Sequence, residues 1–456
     1  MSQEAALKSP PAPEAEPLAL DRRRVLILSD MESLRDQYQA SLAKAGYAAH
    51  AAALGDTETF QTVKPDLIVI ICNDRAILAA DGAPTPATPV FWETPILLVT
   101  ERWREADALL ARDEVHDWTV PAAPSVIVER VRSLLRLSGY ALEFARRRAA
   151  ATRLGLVLKE RTGKPVVPNS REVPVLYFGP PSLESQSVVL LAQKAGRPFM
   201  STFSAETALD YVALYPVTTI VLDYETDPEA SEAFIRTLRT SKDLSRTPVI
   251  ACADPRQAER AEKLLRFGLT DVVVKPLNPS YLRTRVDALT YRAIRFDAVL
   301  DLFAQRGFQA LKSKETDLFR RNYLEAYLAQ AVDLCRQKIT TGSALCVAYD
   351  AAEAQTADEE LGYTDPERSL RTMLQQVLRF EDFVGEMAAG RYVAVLPLTS
   401  MKDAETIKWR FSSVLKNTDL GLADGDRPVS LSVTTIEAGD TPDLVFSRLA
   451  AAAKAL

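Results

Sequence analysis

Val217–Asp223 reads VTTIVLD, and 152 residues earlier Pro65–Ile71 reads PDLIVII. Each is a short, β-branched apolar run bounded by turn residues, the pattern of a strand buried on both sides. The neighbouring runs repeat in the same order. Arg24–Leu28 (RVLIL) parallels Val173–Phe178 (VPVLYF), and Thr94–Thr100 (TPILLVT) parallels Thr247–Ala253 (TPVIACA). Asp117–Pro121 (DWTVP) parallels Asp271–Pro276 (DVVVKP). Each copy then closes on a Pro-Ser pair (Pro124-Ser125, Pro279-Ser280) and an Arg-Val pair (Arg130-Val131, Arg285-Val286). An internal repeat of this kind reads as a duplicated unit. Short apolar strands alternating with amphipathic helices predict parallel sheets covered on both faces, so the expected fold is α/β with two doubly wound units.

Around this repeat the chain divides into a disordered Ala-, Pro- and Glu-rich tail (1–20), a first unit (21–140), a linker (141–170) and a second unit (171–292). A linker helix (293–315) and a third α/β unit (316–456) follow. In the third unit a short turn at Ala388–Arg391 between apolar runs predicts an antiparallel pair.

Composition excludes several classes. A net charge of -6 over 456 residues implies no broad basic surface, so no nucleic-acid partner is expected. His50 and His116 are the only histidines, which argues against a His-based metal site or a nucleophile–His triad; no metal site is expected. Cys72, Cys252, Cys335 and Cys346 are widely spaced and read as reduced thiols. No apolar run approaches the roughly 20 residues of a membrane span, and the tail lacks a signal-peptide pattern. A soluble, cytoplasmic protein is expected.

The two repeats resemble response-regulator receiver domains. In that family an acidic pair after the first strand holds Mg²⁺, an aspartate ending the third strand accepts a phosphoryl group, and a Thr or Ser and a Lys follow strands four and five. The first copy keeps Asp30 and Thr100 but has Ile71 at the acceptor position and Val120 at the lysine position, with Cys72-Asn73-Asp74 next to it. The second keeps Asp223 and Lys275-Pro276, a candidate residual phosphoacceptor region, but has Pro180-Pro181 for the acidic pair and Ala253 for the Thr or Ser. Asp223 and Lys275 read first as a buried structural ion pair. Both copies are expected to serve as docking or dimerisation platforms.

The third unit resembles a GGDEF domain, the fold of diguanylate cyclases. Thr316–Leu324 (TDLFRRNYL) matches a shortened form of that family's opening segment, and Ala388-Ala389-Gly390-Arg391-Tyr392 falls at its signature turn. There the family uses two glycines, so that the backbone can approach a triphosphate, and acidic residues to bind Mg²⁺. Ala388 and Ala389 stand for the glycines, and Gly390 and Arg391 for the acids. The second metal carboxylate aligns with Ala348, with Asp350 two residues on, and the guanine-reading Asn aligns near Thr356. These losses predict no catalysis and no enzyme.

The family's product-binding sequence, Arg-x-x-Asp five residues before the turn, is matched by Arg379-Phe380-Glu381-Asp382, and its further arginine by Arg410. The resemblance therefore implies a site for cyclic di-GMP at Arg379, Asp382 and Arg410, with no other cofactor. Arginine forks onto phosphate or the guanine edge, and a carboxylate accepts guanine N–H groups. Arg379 and Asp382 also fit a plain ion pair at a helix end. The receiver–receiver–GGDEF order implies a response regulator in two-component signalling. The expected function is a non-catalytic cyclic-di-GMP effector and adaptor, a homodimer with protein partners in protease delivery and the cell cycle, located at a cell pole. The alternative is a nucleotide-independent scaffold.

Overall fold

The computed structural model describes residues 23–63, 65–74, 78, 94–111, 115–156, 174–194, 196–240, 244, 246–303, 306–336, 341–349, 366–416 and 429–454. The expected tail, Asp350, Thr356 and residues 157–170 of the proposed linker at 141–170 lie outside these residues.

In the first unit, β1 (Arg24–Ser29), β2 (Ala48–Ala52), β3 (Leu67–Ile71), β4 (Ile96–Val99) and β5 (Asp117–Thr119) form one parallel sheet in the order β2-β1-β3-β4-β5. Helices α1 (Glu32–Lys44), α2 (Thr57–Val63), α3 (Trp103–Ala111) and α4 (Pro124–Arg153) connect and cover it. Every residue of β3 and β4 is buried, as their unbroken apolar character requires.

The second unit repeats this arrangement. Strands β6 (Val175–Phe178), β7 (Phe199–Thr202), β8 (Thr219–Asp223), β9 (Val249–Ala253) and β10 (Asp271–Val274) run in parallel in the order β7-β6-β8-β9-β10. Its helices are α5 (Leu183–Lys194), α6 (Ala205–Leu214), α7 (Pro228–Thr240), α8 (Ala258–Lys263) and α9 (Pro279–Phe303).

After a short turn α10 (Arg306–Gln309), the third unit comprises α11 (Arg321–Arg336), β11 (Gly342–Tyr349), α12 (Pro366–Val377), β12 (Phe383–Ala388), β13 (Arg391–Pro397), α13 (Met401–Lys416), β14 (Val429–Thr435) and α14 (Pro442–Lys454). Its sheet is antiparallel, in the order β12-β13-β11-β14. The fold is thus two receiver-like α/β units followed by a GGDEF-type α/β unit. Among the described residues no helix is long and apolar enough to cross a membrane.

Two helices tie the units together. Where the sequence suggested a linker from residue 141, α4 continues as one helix to Arg153. Its C-terminal half carries Phe144, Ala150 and Ala151 into the core of the third unit, beside Tyr323 and Tyr327 of α11. Likewise α9 runs past residue 292, and its Ala288 joins the core of the first unit.

Candidate functional site

The strand registers fix what occupies the receiver-type positions. In the second unit Asp223 pairs with Cys252, and in the first Ile71 pairs with Val99, each one residue before Ala253 or Thr100. Ile71 therefore holds the acceptor position, buried and apolar. Opposite β4 and β9, Thr119 matches Val273, so the place of Lys275 in the first unit is taken by Pro121 and not by Val120. The shift arises because DWTVP and DVVVKP align at their aspartates, leaving the first copy one residue short.

Asn73, two residues past Ile71, accepts from the Thr100 hydroxyl at 3.0 Å and the Glu101 N–H at 2.8 Å. Asp30 accepts from the Leu54 N–H at 3.1 Å. Polar atoms at this end of the sheet are thus used on one another. In the second unit Asp223 is buried, with Lys275 Nζ 3.3 Å from its Oδ1 and Thr226 donating to its Oδ2 at 3.2 Å. Lys275 is shared with Glu225, whose Oε2 lies 2.8 Å away. A Cβ on Gly179 would meet the Asp223 Cβ at 2.6 Å, so glycine is needed where the first strand passes this carboxylate.

In the third unit Ala389 and Gly390 form the tip of the β12–β13 hairpin, with Ala388 paired to Arg391. Gly390 has φ +66, and a Cβ there would lie 2.6 Å from the Tyr349 carbonyl. The turn keeps glycine where its backbone needs one, at the third position of the motif. Ala348 on β11 pairs directly with Arg391 on β13, so the two positions assigned to metal carboxylates meet as an apolar residue and a cation. The described residues of this corner do not fit Mg²⁺, which requires carboxylate oxygens. Among the described residues no group of three His, Cys, Asp or Glu is arranged to hold a metal ion.

Arg379, Asp382 and Arg410 come together around the loop after α12. Asp382 is buried and its Oδ2 accepts from the Arg379 backbone N–H at 2.7 Å, while the Arg379 side chain is exposed. In place of the plain ion pair that the two side chains could also have formed, the Asp382 carboxylate caps its own loop. Burial pushes the Asp382 carboxyl up to about 7, although its bond to the Arg379 N–H pulls the other way. From α13, Arg410 donates to the Val377 carbonyl at 2.6 Å, which brings its exposed guanidinium to the C-terminal end of α12.

Sequence reasoning missed how this loop is held. Arg147, on α4 from the first unit, donates to the carbonyls of Phe380 and Asp382, each at 3.2 Å. Its guanidinium also bonds Glu143 at 2.7 Å and lies 5.0 Å from the centre of the Phe303 ring. Tyr327 donates to both Glu143 oxygens at 2.8 Å, and Tyr323 to the Arg147 carbonyl at 2.8 Å. The only sequence signal was the arginine run Arg146-Arg147-Arg148, which gives no hint of a partner more than 230 residues away.

The architecture is that of receiver-type units joined to a GGDEF-type unit. No family model matches the chain. It is similar to the response regulator PleD of Caulobacter vibrioides, with 22% identity over 438 residues covering 93% of this chain and 95% of that protein. Solved structures similar to parts of it include the GGDEF domain of DgcB from Caulobacter crescentus in complex with c-di-GMP, at 16% identity and a TM-score of 0.28, covering 32% of this chain and 86% of that one. A putative response regulator from Chloroflexus aurantiacus is similar at 16% identity and a TM-score of 0.25, covering 26% of this chain and 98% of that one.

The PleD similarity corrects one expectation. The substitutions at the turn predict no enzyme, but 93% of the chain is similar to a response regulator, PleD, so absence of catalysis does not stand as a conclusion. The substitutions at Ala348 and at the β12–β13 turn do not by themselves exclude catalysis.

Proposed function

We propose that this chain is a response regulator of cyclic-di-GMP signalling, which takes the dinucleotide at Arg379, Asp382 and Arg410 and passes its presence to protein partners. The observation that carries the reading is the convergence of these residues on one loop, with both guanidinium groups exposed. Two exposed arginines suit phosphate or guanine edges, and the Asp382 carboxyl can accept a guanine N–H when ionised. Arg147 and Glu143 connect this loop to the first unit, a route by which an occupied site biases the docking of α4. In its altered turn and kept Arg-x-x-Asp sequence the chain resembles PopA, which implies an adaptor at a cell pole that delivers proteins to a regulated protease. A homodimer in this scheme uses faces other than the one the two receiver-like units share.

Calorimetric titration with cyclic di-GMP tests the site. The unaltered chain is expected to bind, and Arg379→Ala and Arg410→Ala each to weaken binding roughly ten- to hundredfold, the effect of one charge-assisted bond. No binding by the unaltered chain, or equal binding by all three, overturns the assignment.

A further inference from the structure

A cleft of about 560 Å³ opens where α4 of the first unit, the β9–β10 side of the second and the end of α12 meet. Arg379, Asp382 and Arg410 are not among its lining residues, but Leu378 and Phe380 on either side of Arg379 are, so it adjoins the site proposed above without sharing those three side chains. Among the described residues its lining carries seven arginines and one carboxylate, Glu129, in a protein whose net charge is -6. Part of this charge is balanced: Arg132 bonds Glu129 at 2.6 Å, and Arg130 and Arg292 reach Asp117 behind the wall at 3.3 and 3.4 Å. Buried Arg130 still has an Nε atom with no hydrogen-bond partner.

Arg136, Arg246 and Arg266 are exposed on the cleft, and Arg239 stands among them, donating to the Gly268 and Thr247 carbonyls at 2.8 and 2.9 Å. Burial pushes the Arg239 guanidinium down to about 10, with Arg292 and Arg136 adding smaller repulsions. Part of the remaining lining is aromatic, beside apolar residues such as Val126, Pro248 and Leu265. Tyr140 meets Phe296 and Phe380 edge-to-face, with ring centres 4.9 and 5.2 Å apart, and the Arg246 guanidinium lies 5.6 Å from the centre of the Phe296 ring.

We infer that this cleft binds a phosphate-bearing nucleotide, its phosphates on Arg136, Arg239 and Arg266 and its base against the Tyr140–Phe296–Phe380 cluster. Forked guanidinium groups match phosphate oxygens, and a polyanion relieves the mutual repulsion of the arginines. Aromatic faces stack on any base, so the pairing of basic and aromatic lining selects a nucleotide over a simple anion. The volume is that of a small-molecule pocket, within the usual range of roughly 300–1,000 Å³. An acidic peptide would satisfy the charge but leave the aromatic wall unused.

The test uses the full chain, titrated calorimetrically at low salt with Mg²⁺-free ATP and with inorganic triphosphate. ATP is chosen because the Arg379 site is expected to read guanine. Binding of ATP is expected to be at least tenfold tighter than that of triphosphate. Arg136→Ala/Arg266→Ala, which alters only exposed side chains, is expected to weaken it at least tenfold with an unchanged melting temperature. Arg410→Ala is expected to leave ATP binding unchanged. No ATP binding at millimolar concentration, equal binding by the double variant, or triphosphate binding as tight as ATP overturns the inference. A glutamate-rich peptide that binds more tightly than ATP and is lost in the double variant overturns it as well. Loss of cyclic di-GMP binding confined to Arg379→Ala and Arg410→Ala concerns the other site and leaves this one standing. Loss of cyclic di-GMP binding in the double variant alone supports the cleft and overturns the other.

Discussion

Asp382 shows how a residue's placement alters its chemistry. Its carboxyl is raised from 3.8 to about 7 because it is buried. Between those values the unfolded chain has released a proton that the folded chain keeps. Stability from this group is complete below pH ~4, falls as pH rises towards 7, and levels off above it. Asp382→Asn, which keeps an acceptor for the Arg379 N–H, is therefore expected to raise the melting temperature relative to the unaltered chain more at pH 8 than at pH 5. A constant difference across that range would contradict the buried-carboxyl account. Binding of cyclic di-GMP at this site is expected to tighten from pH 6 to pH 8, as the accepting carboxylate forms. At the hairpin tip the constraint is steric: Gly390→Ala meets both the positive φ and the Tyr349 carbonyl. It is expected to cost about 1–3 kcal/mol in urea denaturation.

Helix α4 carries the coupling at the scale of elements. It starts as the last helix of the first unit and ends inside the third, fixed there by Glu143, Arg147, Tyr323 and Tyr327. Burial pushes the Glu143 carboxyl up, while Arg147 opposes the shift, so this anion depends on its donors. Tyr327→Phe removes one and is expected to lower stability by about 1–3 kcal/mol. Arg147→Ala is expected to do more, since it leaves Glu143 buried without its nearest cation and frees the carbonyls of Phe380 and Asp382. Amide hydrogen exchange at residues 378–383 is the measurement. Faster exchange there in Arg147→Ala, with α13 unchanged, is the expected result, and unchanged exchange at the loop would show that α4 does not hold it.

For the whole molecule, the repeat has a physical consequence. Asp117 and Asp271 occupy equivalent places in their sheets, as do Arg130 and Arg285 in the following helices, and the four meet at the seam between the units. Asp117 lies 3.3 Å from Arg130 and 3.1 Å from Arg285, while Asp271 lies 2.6 Å from Arg285 and bonds Arg130. All four are buried. The two arginines hold Asp271 down at about 2 against the cost of its burial, so the seam's ionic contribution is present above pH ~4 and lost only towards pH 2. Arg130→Ala leaves both carboxylates short of a cation and is expected to cost about 3–5 kcal/mol. In scanning calorimetry the receiver-like units are expected to unfold in one transition and to separate into two in this variant. A single transition shifted as a whole would mean that apolar contacts such as Trp118 against Tyr281, and not the ionic seam, join them.

The sequence by itself determined the buried strands of all three units, because an apolar run with period and length suited to a buried strand has few other outcomes, but not the half-exposed edge strands β2 and β7, which lack such a run. It also determined which residues stand at Asp223, Lys275, Ala348 and Ala388–Arg391, since those follow from order along the chain. It located Arg379, Asp382 and Arg410 by spacing, but not that Asp382 turns inward to cap its own loop. Burial decided that, and burial is a property of the packed chain. The Arg147 clamp, the Asp117–Arg130–Asp271–Arg285 seam and the arginine-lined cleft were decided by tertiary structure alone. Each joins residues more than a hundred positions apart, and only the docking of finished units brings such charges within a few ångströms of one another.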